Sequence, residues 1–268
     1  MFGKLLKYEF KAVGKWYLGL YATAILLSVI IGLWLQSFIQ RSETSLSGNV
    51  DGTTLSNTIE GVILTVTLIG FAIIIVGLFL STLFLIVNRF RKNVYGRQGY
   101  LTMTLPVTNH QIILSKLTAG FVWSILSSIT AMLGILIVLL FTVSPEMSEH
   151  IREISHVITE AYQDLTFINF GLYYIIMLIV DTIKSVLLIY CAISLGQLFK
   201  DHRTLLAVVF YFAIKFAESI FSFGLLLSME QYAGSYIYST LTLSLSILLS
   251  IGYYFSTYYI MNNKLNLQ

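Results

Sequence analysis

Six runs of predominantly apolar residues, near 17–39, 61–87, 117–143, 166–196, 205–227 and 237–261, dominate this 268-residue chain. As helices rising about 1.5 Å per residue, all six are long enough to cross the roughly 30 Å of bilayer hydrocarbon. Hydrocarbon offers no water to unpaired backbone groups, so runs of this length have to span as helices. Only 11% of the residues are charged and 57% are hydrophobic, whereas a soluble domain carries about 25% charge. The expected fold is an all-α integral membrane protein with six transmembrane helices, one transmembrane domain over residues 1–268. The fourth run exceeds what a crossing needs, which implies tilt or an extra turn outside the bilayer. The first run follows Lys4, Lys7, Lys11 and Lys15 as a signal peptide would. It is too long for a secretory h-region and lacks a small-residue cleavage site, so it reads as a retained span.

Charge sets the orientation. Twelve cations fall on one side: those four lysines, then Arg89, Arg91, Lys92, Arg97 and Lys116 between spans two and three, Lys200 and Arg203 between four and five, and Lys264 in the tail. The other side holds only Arg41 and Arg152, with nine acidic residues. The positive-inside rule then places both termini in the cytoplasm, as in a polytopic inner-membrane protein. Tyrosines at both ends of the last span, Tyr232, Tyr236 and Tyr238 outside and Tyr253, Tyr254, Tyr258 and Tyr259 inside, read as headgroup-level anchors. A net charge of +3 gives no argument for nucleic acid. The single cysteine, Cys191, sits in an apolar run and reads as a small buried hydrophobe.

Three segments outside the spans carry pattern. Residues 1–16 alternate cations with Phe2, Leu5, Leu6, Phe10 and Val13; that spacing suits an amphipathic helix in the interface, or lysines that only enforce orientation. Ser144-Pro145-Glu146 has the marks of a helix start, and apolar residues at helical spacing through Leu165 then predict an external amphipathic helix over 144–165. Its His150 and His156 do not share a helix face and make a poor metal pair. The connection from Asn88 to Lys116 is polar, basic and punctuated by Gly96, Gly99 and Pro106. Thr108 with Gln111 forms a capping box leading into span three. Reversing the chain requires far fewer residues, so this connection reads as a docking element.

The opening Leu5-Leu6-Lys7-Tyr8-Glu9-Phe10-Lys11, then Gly99-Tyr100-Leu101-Thr102 with Leu105-Pro106-Val107, and Ser115-Lys116-Leu117 entering span three, resemble the permease subunits of type 2 ABC exporters in their small Gram-positive form. With the six-span plan the resemblance covers the whole chain, through short motifs. It implies that residues 1–16 are an interfacial elbow helix and that residues 89–105 form a cytoplasmic coupling helix seated in an ATPase subunit. Arg89, Arg91, Lys92, Tyr95, Tyr100 and Leu101 would then make the ATPase contact. It also implies two ATPase copies carrying the ATP and Mg, no cofactor in this chain, and a second permease, identical or homologous, to complete the pathway. Amphipathic or antimicrobial-type peptides are the implied cargo. Larger relatives have a re-entrant hairpin for which the stretch from Met229 to Ser235 is too short.

Four ionisable residues lie within spans: Asp181 and Lys184 in the fourth, Lys215 and Glu218 in the fifth. Counted from the inner ends, Lys215, Lys184, Glu218 and Asp181 sit about 15, 18, 20 and 22 Å deep. Charges there need partners. Each pair is spaced i,i+3 on one face; similar depth also predicts the cross-helix pairs Lys184–Glu218 and Asp181–Lys215, either as structural ion pairs or along a substrate path. Gly120, Ser124 and Ser128 offer a small-residue face to a partner helix. The chain has no nucleotide loop, no His-Glu-x-x-His pair and no Gly-x-Ser-x-Gly elbow, which argues against an enzyme. A secondary transporter or a membrane scaffold or sensor subunit are the competing functions; repeated halves with matched broken helices, frequent in the former, are not evident.

Overall fold

A computed structural model describes residues 2–47, 53–96, 99, 107–142, 165–199, 201–228 and 236–264. They form α1 (Phe2–Ser47), α2 (Thr53–Phe90), α3 (Asn109–Thr142), α4 (Leu165–Gly196), α5 (Arg203–Ser228) and α6 (Tyr236–Asn263), with a π-helical turn, Arg91–Tyr95, continuing α2. All six are long and apolar enough to cross a membrane, and there is no strand among the described residues. The protein is a multi-pass, all-α membrane protein. Tyr100, Leu101 and the expected external helix over 144–165, apart from Leu165, lie outside the described residues.

Helices α4, α5 and α6 end within about two residues of the apolar runs, whereas α1, α2 and α3 extend well past them. Hydropathy marks only the part of a helix that needs hydrocarbon; polar residues continue a helix wherever nothing breaks it. Helix α1 is unbroken through residues 16 and 17, so no boundary separates the basic segment from the span. At α3 the Gln111 N–H donates to Thr108 Oγ1 at 3.4 Å, one of the two contacts of the capping box expected from the sequence.

Packing divides the chain into two compact units, each drawing on distant stretches of sequence. In the unit made of Val13–Thr82 and Trp123–Asn169, α1 and α3 run parallel. Successive contacts pair Gly14 with Trp123, Ser28 with Gly134 and Gly32 with Phe141. The Tyr17 ring stacks on Trp123, centroids 4.2 Å apart. Beside it, Tyr21 OH donates to the Trp123 carbonyl and Thr82 Oγ1 lies 2.8 Å from Ser127 Oγ, all buried. A hydroxyl cluster of this kind satisfies polar groups that lipid cannot.

The other unit comprises Met1–Ala12, Leu83–Val122 and Phe170–Gln268. Its centre is α4, where every residue from Val186 to Ser194 is buried, as expected for a helix that is apolar all round. Phe90 stacks on Tyr190 at 3.9 Å, and Tyr190 OH donates to the Lys116 carbonyl at 2.9 Å. Gly120 packs against Val186 and Tyr190 of the same chain, so this member of the small-residue face is already used internally, by α4. At the α4–α5 reversal a Cβ on Gly196 would meet the Arg203 carbonyl oxygen at 2.7 Å and the Ala207 nitrogen at 2.8 Å. Backbone atoms cannot yield to it, so only glycine lets the two helix ends come this close. Helix α5 has no buried residue.

Candidate functional site

Two clusters of ionisable groups, both in the unit built around α4, stand out from the apolar helices. The first is centred on Glu9, on the basic N-terminal segment. Its Oε1 accepts from Lys116 Nζ at 2.7 Å and its Oε2 from Arg89 Nε at 2.9 Å. The Lys116 side chain is 4% exposed and that of Arg89 32%. Two cations on one carboxylate make a charge-assisted clamp. Arg89 and Lys116 bracket the α2–α3 connection, so Glu9 holds both of its ends. Arg89, expected among the ATPase-contacting residues, is therefore occupied inside the chain. Glu9 belongs to a motif noted in the sequence, but its role as the hub was not legible there.

Arg91 and Lys92 are exposed on the π-helical turn, while Tyr95 is drawn inward, its hydroxyl donating to Ser194 Oγ at 2.7 Å. The turn ends at Gly96, whose N–H donates to the Arg91 carbonyl at 2.9 Å. A Cβ on Gly96 would lie 2.8 Å from the Lys92 carbonyl oxygen, which explains a glycine at the end expected for a short helix. Insertion of an extra residue per turn of this kind often marks functional segments.

The second cluster lies within the spans. Lys184 Nζ pairs with Asp181 Oδ1 at 2.8 Å and Lys215 Nζ with Glu218 Oε2 at 3.2 Å, each within its own helix. The cross-helix pairs Lys184–Glu218 and Asp181–Lys215 expected from depth do not form. An i,i+3 partner lies within a lysine stem's reach on the same face, and the neighbour that closes each pair is α6. Ser246 Oγ donates to Asp181 Oδ1 and accepts from Lys184 Nζ, both at 3.1 Å. Tyr253 OH donates to Glu218 Oε1 at 2.5 Å. Each carboxylate thus holds one lysine of its own helix and one hydroxyl of α6.

Ser246 and Tyr253 belong to a stripe on α6, continued by Ser250 and Thr257, all buried. Further along, Ser239 and Thr242 meet Tyr173, whose OH donates to the Ser239 carbonyl at 2.7 Å. The spacing of three and four residues is that of one helix face; helical periodicity applied to hydroxyls, rather than to apolar residues, would have found it. Tyr253 is therefore a carboxylate partner and not a headgroup anchor. Tyr254 likewise bonds His110 at 2.6 Å, and Tyr258 stacks on the same ring at 4.0 Å.

The clusters differ in what their surfaces imply. Within this chain the Asp181 side chain is 41% exposed and that of Lys215 37%. Hydrocarbon does not solvate such groups, so their open sides call for water or another protein surface. Comparison with protein-family models, curated proteins and solved structures finds no match.

Proposed function

We propose that this chain is the permease subunit of an ATP-driven ABC exporter of the type 2 superfamily, lying in a bacterial cytoplasmic membrane with both termini inside. The observation that carries the reading is the grip of Glu9 on Arg89 and Lys116. A connection that only reverses the chain has no use for a buried clamp at both ends. One that takes up a displacement from a partner does, because the clamp passes that displacement to the first three helices together. In this reading two ATPase subunits bind ATP and Mg and hydrolyse the nucleotide. They press on the segment from Arg91 onward, with Arg91, Lys92, Tyr100 and Leu101 as contacts, while Tyr95 anchors that segment to Ser194. The elbow and coupling roles, and amphipathic peptides as cargo, follow from the sequence resemblance.

The open sides of Asp181 and Lys215 suit a polar path completed by a second permease, identical or homologous. The tagged chain, taken from its native membrane in mild detergent, is expected to bring down an ATPase at equal stoichiometry. Transport by the chain with no ATPase present would make it a secondary transporter. Absence of both would make it a scaffold or sensor subunit.

The orientation has its own check. In a chain whose buried Cys191 is replaced by Ala, single cysteines at Asn93 and Asn263 are expected to resist an impermeant thiol reagent applied from outside. A cysteine at Ser228 is expected to react. The reverse pattern would invert the protein in the membrane.

A further inference from the structure

The π-helical turn after α2, the end of α4 and the first turn of α5 line an open cavity of about 310 Å³. Its charged lining is cationic throughout: Arg91, Lys92 and Arg203, with Asn88 and Gln197 as amide partners. No carboxylate is among the lining residues; Asp201, in the adjoining connection, is exposed. Arg203 is fixed by donating from Nε to the Phe199 carbonyl at 3.1 Å, which engages one of the five guanidinium N–H donors. It is also the first residue of α5, following His202, whose φ of 54° turns the chain into the helix. The helix termini at the cavity do not favour an anion as a set, since the N–H end of α5 is offset by the carbonyl ends of α4 and of the π-helical turn, so the side-chain cations carry the attraction.

Three cations around one cavity, with amides beside them, match a ligand of one or two negative charges and several acceptor oxygens. The walls are the ends of three membrane-length helices, so the cavity opens at the level of the lipid headgroups. We propose that this cavity binds a phosphate-class anion, supplied by the headgroup of an anionic phospholipid. The test needs no ATPase and so is independent of the exporter reading, although Arg91 and Lys92 are shared with the ATPase contact proposed there.

The test uses the full chain in phosphatidylcholine nanodiscs, with phosphatidylglycerol titrated in and its retention measured by native mass spectrometry. Arg91→Gln with Arg203→Gln is expected to weaken retention by about 25-fold, at about fivefold per surface cation. The Arg91→Lys, Arg203→Lys pair is expected to stay within about threefold of the parent. Lys4→Gln with Lys7→Gln removes equal charge elsewhere on the interface and measures the diffuse surface attraction; its loss is expected to be clearly smaller than that of the cavity pair. Should the double Gln variant fail to fold, Arg91→Gln alone, at an exposed position, carries the fivefold test. Inorganic phosphate added as competitor separates the sources. No displacement at millimolar concentration assigns the site to the lipid, and displacement assigns it to free phosphate and overturns the lipid source. Retention unchanged by the Gln variants, or lost as much in the lysine control, overturns the proposal.

Discussion

Glu9→Gln is expected to be the most damaging single charge substitution in the protein, lowering stability in detergent by about 3–5 kcal/mol. The change leaves Lys116, 4% exposed, as a cation with neither water nor a counter-charge. Its other former neighbour, Arg89, is 32% exposed and can hydrate. That asymmetry gives the test its edge. Glu9→Gln combined with Lys116→Met is expected to recover most of the loss, because replacing both members of a buried pair is nearly neutral. Glu9→Gln combined with Arg89→Gln is expected to recover little. Arg89→Ala alone is expected to be mild, since Glu9 keeps Lys116. Thermal unfolding of the four variants in one detergent decides it. Equal rescue by the two second substitutions would mean that Lys116 is not the stranded charge.

Glu218→Gln is expected to destabilise the protein by about 2.5–3.5 kcal/mol, the scale of an unpaired charge deep in a membrane helix. Lys215 loses its carboxylate, and the Tyr253 hydroxyl loses a charged acceptor. The partner substitution identifies the pairing. Lys215→Met is expected to restore stability, whereas Lys184→Met is expected to add a second lesion, because Lys184 belongs to Asp181 and Ser246. Restoration by Lys184→Met instead would establish the cross-helix pairing that depth alone suggests. Measuring transport beside stability then tells a structural pair from a substrate path. Recovery of both marks the former, and stability without transport marks the latter.

The six helices were legible because the bilayer imposes its thickness as a contiguous apolar run, a one-dimensional signal. Helix ends outside the hydrocarbon were legible only where a cap or an amphipathic pattern marks them, as at Thr108 with Gln111 and over the basic N-terminal segment; the extension of α2 back to Thr53 was not read from the sequence. The i,i+3 spacing of Asp181 with Lys184 and of Lys215 with Glu218 stated the ion pairs outright. The cross-helix pairs suggested by depth fail because similar depth does not bring two side chains to facing surfaces, and here α6 stands on the side to which the carboxylates point. The Glu9 clamp joins residues 80 and 107 positions apart in sequence. Nothing local encodes such contacts, although one acid among four lysines is a hint that it has buried cations to meet. Arg89 shows the converse risk, since a cation in a basic connection looks available for a partner until its own carboxylate is located.

The pairing of each intramembrane lysine within its own helix bears on how the protein is made. Helices α4 and α5 leave the ribosome before α6, and a charge that depended on a later segment would enter lipid alone. Because Asp181 neutralises Lys184 and Glu218 neutralises Lys215, each of these segments can partition into the bilayer as a net-neutral helix in order of synthesis. The hydroxyls of Ser246 and Tyr253 then arrive last, on a helix with no charge of its own between Tyr236 and Asn263, and lock helices that have already been inserted.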